Sequence, residues 1–131
     1  MSFEDLPDDW SDHPLSTPGL AIDVVDLFFR GRDRAAGALL LLLCDAQHRL
    51  LQPIVIDDVP WLASQPERSR FFDGFLGHFP EVTMVAAVSS RFMLPPGVAR
   101  GWRESAEAAL GDRLIAFFTA VPNAVVEVPA A

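Results

Sequence analysis

The chain has no lysine and no tyrosine, a single cysteine, and no apolar run near the roughly 18 residues that a membrane helix needs. Each absence removes a class of chemistry. Without lysine or a glycine-rich loop, a phosphate-loop nucleotide site has nothing to stand on, and no Gly-x-Ser-x-Gly elbow presents a serine nucleophile. One thiol cannot close an intramolecular disulfide. Cys44 also ends the apolar run from Leu39, where a thiol packs as a small hydrophobe. Positive charge is scarce: ten basic residues, all arginine, face 18 acidic ones, and the net charge of −8 would repel a phosphate backbone. Nucleic acid and membrane are therefore excluded as expected partners. The acidic start (Glu4, Asp5, Asp8, Asp9, Asp12) is the reverse of a basic signal-peptide start, which predicts a cytoplasmic protein. Lysine and tyrosine are missing while Ala, Leu, Val, Asp and Pro abound, a bias expected of a GC-rich bacterial genome.

What is present is a globular composition. Half of the 131 residues are hydrophobic and 21% are charged, a balance that folds as one core. Residues 1–17 mix acids, serine and proline with scattered large apolar residues (Phe3, Leu6, Trp10, Leu15) and are expected to form a mobile acidic tail. Residues 18–131 are expected to form a single α/β domain, two- or three-layered, with a central mixed sheet of about five strands and three main helices.

The elements follow from periodicity and punctuation. Thr17-Pro18 predicts a helix start, with Leu20, Val24, Leu27 and Phe28 on one face, an Asp26–Arg30 pair, and a stop at Gly31. Leu39–Cys44 reads as a strand buried on both faces. It turns through Asp45-Ala46-Gln47-His48 into Leu50–Ile56, where Pro53 implies an edge strand. Ser64-Gln65-Pro66-Glu67 matches a capping box, and Phe71, Phe72, Phe75, Leu76 and Phe79 then make an apolar stripe centred on Phe75 and ending near Gly77. A strand over 82–89, a helix over 97–110 stopped by Gly111, a strand over 114–120 and a closing strand over 125–128 complete the order. An aromatic stripe at this spacing is core before it is anything else.

Few residues offer chemistry. His13, His48 and His78 lack the close spacing that gathers ligands on one metal. Asp57 and Asp58 are adjacent, but in a hairpin they lie at the open end and Asp45 at the turn. At roughly 3.3 Å per residue that gap is too wide for an acid–base pair, so a turn before Pro60 explains them better. Ser89, Ser90 and Arg91 follow a buried strand, the usual place for a functional loop in α/β proteins, and are the candidate binding residues. No catalytic residue, metal ligand or cofactor site is assigned.

From Gly37 to Val128 the layout resembles the JAB/MPN superfamily, nearest to its RadC-like branch. The resemblance is carried by the run Leu39 to Leu51 (strand, Asp-containing turn, second strand), a helix leading into Val82 to Val88, the Pro95-Pro96 loop, a helix with small residues, and Leu114 to Thr119. In active members the central strand runs into a His-x-His-Pro element, and an Asp further along completes a zinc site. Here the matching stretch is Ser89-Ser90-Arg91-Phe92, and Val98, Ala99, Arg100, Gly101 and Trp102 occupy the region of the Asp. The resemblance thus implies the fold without its zinc site or its activity. The resulting expectation is a non-catalytic scaffold or regulatory module that binds another protein through an aromatic-rich or strand-edge surface. The alternative is a small-ligand site or enzyme using Ser89, Ser90 and Arg91. A helix-mediated homodimer stays open.

Overall fold

The computed structural model describes residues 8–29, 37–57, 59, 64–79, 81–90, 96–122 and 124–129. Two strands without a solvent-facing side set the architecture. β1 (Leu39–Cys44) and β3 (Thr83–Ser89) are buried at every position, so both faces of their sheet have to be covered. β2 (Leu50–Ile56) pairs antiparallel with one side of β1, and β3 pairs antiparallel with the other. β4 (Leu114–Val121) lies parallel to β3, and β5 (Ala124–Glu127) returns antiparallel to β4. The order is β2-β1-β3-β4-β5. Only the β3–β4 step is parallel, and the helix between them supplies the crossover that a parallel pair requires.

Among the described residues three α-helices cover this sheet: α1 (Leu20–Phe28), α2 (Gln65–Leu76) and α3 (Pro96–Leu110). Strand alternation sorts the core into two halves. Leu40, Leu42, Cys44, Val85, Ala87, Phe118 and Ala120 pack with Val24 and Val25 of α1 on one face. Leu39, Leu41, Leu43, Met84, Ala86, Val88 and Phe117 pack with Phe72 and Leu76 of α2 and Trp102 and Ala106 of α3 on the other. The result is the α/β fold with a mixed five-stranded sheet and three helices that the sequence predicts, in three layers. Pro53 falls on the edge strand β2, where a missing donor costs least. On the two-helix side, Arg68 of α2 lies 6.0 Å from the Trp102 ring and donates from Nε to Ser105 Oγ at 3.0 Å, tying α2 to α3.

Several expectations need correction. Leu15 is 1% exposed in the core beneath α1, its N–H donates to the His48 carbonyl at 2.7 Å, and Trp10 meets Phe28 edge-on at 6.1 Å. The segment 8–17 is thus anchored through Leu15 and Trp10, while most of its other residues stay exposed. α1 starts at Leu20 and not at Thr17-Pro18. The chain first closes a turn from the Leu20 N–H to the Thr17 carbonyl, and Gly19, at φ 81°, occupies the cap position in a conformation that glycine adopts freely. Arg30 and Gly31, expected as ion-pair partner and stop, lie outside the described residues. α2 starts at the predicted N-cap, Ser64, whose Oγ accepts from the Glu67 N–H at 3.4 Å; the Glu67 carboxylate accepts from the Ser64 hydroxyl at 3.0 Å, where a full capping box would have it accept from the Ser64 N–H. Gly77 ends α2, but in a right-handed conformation at φ −58°, so it acts by weak helix propensity and not by left-handed geometry. Gly111 does take the left-handed conformation, at φ 58°, and starts a single 3₁₀ turn before β4.

Candidate functional site

The sequence places its candidate contacts at the C-terminal end of β3, and the structure gives Ser89 a different task. Ser89 is fully buried. Its Oγ accepts from the Ala38 N–H at 2.8 Å and donates to the Ala38 carbonyl at 3.2 Å, while its own N–H donates to that carbonyl at 2.9 Å. The hydroxyl thus extends the β1–β3 ladder by one residue and satisfies backbone that would otherwise be buried without a partner. Ser90, half-buried, donates its N–H to the Ala120 carbonyl at 3.1 Å and so joins β3 to β4. Arg91 lies outside the described residues. The three predicted contacts therefore reduce to a latch, a strand-end residue and a position without a description. Asp57 is described and Asp58 is not.

No three His, Cys, Asp or Glu side chains gather to hold a metal ion among the described residues. His13 faces Asp9 on the surface at 3.3 Å, His48 sits in the β1–β2 turn, and His78 follows the end of α2. No helix among the described residues is long and apolar enough to cross a membrane.

The opposite end of the sheet carries the more suggestive surface. A broad groove of about 550 Å³ opens there, lined by Cys44, Asp45, Leu51, Phe79, Glu81 and Val82 among others. Local irregularities build it. Between Leu43↔Gln52 and Cys44↔Leu50 the ladder shifts by one residue, and Leu51 is the extra position of a β-bulge. An edge-strand bulge re-aims a side chain, and Leu51 is left 64% exposed, the most exposed large hydrophobic of the described residues. Past α2, the N–H groups of His78 and Phe79 donate to the carbonyls of Phe75 and Leu76 at 3.1 and 3.0 Å, holding Phe79 against the groove.

The turn below is rigidly tied. Asp45 Oδ1 accepts from the N–H groups of Gln47 and Arg49, each at 2.9 Å, and Oδ2 accepts from Arg49 Nε at 3.2 Å. The Asp45 carbonyl accepts from Thr83 Oγ1 at 2.7 Å, which clamps the turn to the start of β3. His48 takes φ 67°, a left-handed value tolerated at the tight corner. The Arg49 N–H bond, followed by the Gln47 N–H bond and the Arg49 charge, holds the Asp45 carboxyl below its ordinary range. At the groove floor, burial first and the Asp45 charge second push the Cys44 thiol up to about 12, so it stays neutral. Its Sγ donates to the Leu42 carbonyl at 3.4 Å.

An aromatic ladder leads away from this groove. Phe79 lies 5.2 Å from Phe75, and Phe75 stacks at 6.3 Å on Phe71, all three half-buried. Phe75 packs against the core on the two-helix side of the sheet but is only partly buried, so it is not the centre that the stripe suggested. Phe72 takes that position, fully buried and edge-on to Trp102 at 6.1 Å. A second, smaller hollow of about 260 Å³ lies by the start of α1, between Thr17, Gly19, Ile22, Ile115 and Glu127. Its polar side chains are Ser16, Thr17 and Glu127, a single carboxylate beside two hydroxyls. No protein-family model, curated protein or solved structure matches the chain, so the groove is interpreted through its own chemistry.

Proposed function

We propose that this chain is a non-catalytic interaction module, working in the cytoplasm as a scaffold or regulatory subunit, which receives a segment of another protein in the groove beside the β1–β2 turn. The observation that carries the reading is Leu51, aimed outward by a bulge beside Phe79 and left largely in water. Exposed large apolar side chains that border a groove are a common mark of a binding surface, and the aromatic ladder of Phe71, Phe75 and Phe79 widens the apolar area. The tied turn beneath it favours binding, since a pre-ordered surface loses little entropy on association. The commitment of Ser89 to the Ala38 backbone counts against the alternative of a ligand site after β3. The proposal keeps the JAB/MPN likeness, without zinc ligands, as an expectation of the sequence.

Selection of peptides from a random display library on the intact protein, followed by mapping of amide chemical shifts, tests the reading. Selected peptides are expected to move the resonances of Leu51, Phe79 and Val82. Peptides that move only the residues around Ser90, or a selection that enriches nothing, would overturn it.

A further inference from the structure

The chemistry of the groove narrows what it receives, on the reading that it binds a protein segment. Apart from two acids its lining is uncharged: Cys44, Leu51, Phe79 and Val82 are apolar or neutral. Its two ionisable rim groups are both acids. Asp45 is engaged by its own turn and by Arg49, whereas Glu81 is exposed and has no ion pair among the described residues. The remaining field is that of a chain with net charge −8. We propose that the occupant is a segment of a different protein that seats a leucine- or phenylalanine-sized side chain between Leu51 and Phe79 and brings an arginine or lysine against Glu81.

The competing occupants fit less well. A second copy would bring another net charge of −8 to a surface that already repels anions. Only Leu51, Val55 and Val126 are large hydrophobics exposed among the described residues, less than an obligate dimer face of about 2,000 Å² or more demands. Pro53 also interrupts the donor row of the β2 edge, which disfavours strand pairing between copies. An anionic segment meets Glu81 and the overall field, and like charges placed together at an interface are strongly disfavoured. A cation opposite Glu81 meets no such penalty, and its attraction accelerates encounter most at low salt.

The test uses the peptides enriched by display on the intact protein, synthesised with a fluorescent label. Apolar residues flanked by arginine or lysine are the expected consensus. Leu51→Asp is expected to weaken binding by about tenfold or more, the scale of losing one anchor. Glu81→Arg is expected to weaken the same peptides by about threefold to tenfold at low salt, with the difference shrinking as salt is raised. A peptide with its basic flanks changed to glutamate should regain affinity for the Glu81→Arg protein. Both substituted residues are exposed, and thermal melts of each variant check that the fold is kept. Peptides that map to the groove yet carry acidic or neutral flanks, with Glu81→Arg silent, would overturn the charge assignment and leave the interaction reading standing. Failure of every peptide to reach the groove would overturn both. A concentration-dependent dimer in sedimentation that Leu51→Asp dissolves would make a second copy the occupant and overturn the proposal.

Discussion

Phe72 and Phe75 belong to one apolar stripe of α2, yet they carry different loads. Phe72 is fully buried between the sheet and Trp102, while Phe75 is a half-buried rung between Phe71 and Phe79. Phe72→Ala is expected to cost about 3–5 kcal/mol, from lost transfer energy plus the cavity left behind. Phe75→Ala leaves no enclosed cavity and should cost under about 2 kcal/mol, a partial loss of the area of one large side chain. Urea melts of both variants check the order, and a larger loss from Phe75→Ala would return the stripe to its sequence-derived centre. The sequence could not rank the two. A stripe as wide as 71, 72, 75, 76 and 79 marks a face, but α3 decides which part of it is covered, through Trp102 some 30 residues on. The same limit applies to Ser89. A serine after a hydrophobic strand suggests a loop, and only the pairing of β3 with β1 reveals that its hydroxyl closes on Ala38.

Among the elements, the strands were the most legible. Leu39–Cys44 and Leu50–Ile56 have the predicted bounds, because a six-residue apolar run between a glycine and an acidic turn leaves one physical solution, and Pro53 consigns its partner to the edge. α2 was legible at its start through the Ser64 N-cap, and α3 through Trp102, Ala106 and Leu110 at helical spacing. The groove was not legible. It joins a bulge in β2, the turn past α2 and the first residues of β3, and neither a bulge nor that convergence leaves a mark on hydrophobic period. The anchoring of Leu15 and Trp10 is hidden for a related reason: four apolar residues in a polar stretch do not announce that one of them is buried. Since Leu15 is 1% exposed and Trp10 braces Phe28, removing residues 1–16 should lower the melting temperature clearly. Leu15→Ala alone is expected to cost about 2–5 kcal/mol, the range for a buried leucine, measured by the same urea melts. A truncated protein that melts with the full chain would show that the segment is packed without contributing stability.

At the scale of the whole molecule, the missing lysines and tyrosines have a thermodynamic consequence. Those residues ordinarily titrate near pH 10, and arginine keeps its charge well beyond, so Cys44 is the one side chain of the 131 whose ordinary range lies near pH 9. In the unfolded chain its thiol should ionise near 9.0, whereas in the fold burial holds it to about 12. The folded pKa is raised, so this contribution to stability is complete below pH 9 and is lost as the pH climbs towards 12, because the unfolded state alone releases the proton. Within that window the slope is on the order of 1 kcal/mol per pH unit. Urea melts of the native protein between pH 8 and about 11 should show the decline. Cys44→Ala should start lower, from the small volume lost beneath the groove, and then stay level across the same range. Two curves that fall in parallel would place the alkaline limit of the fold elsewhere than at this thiol.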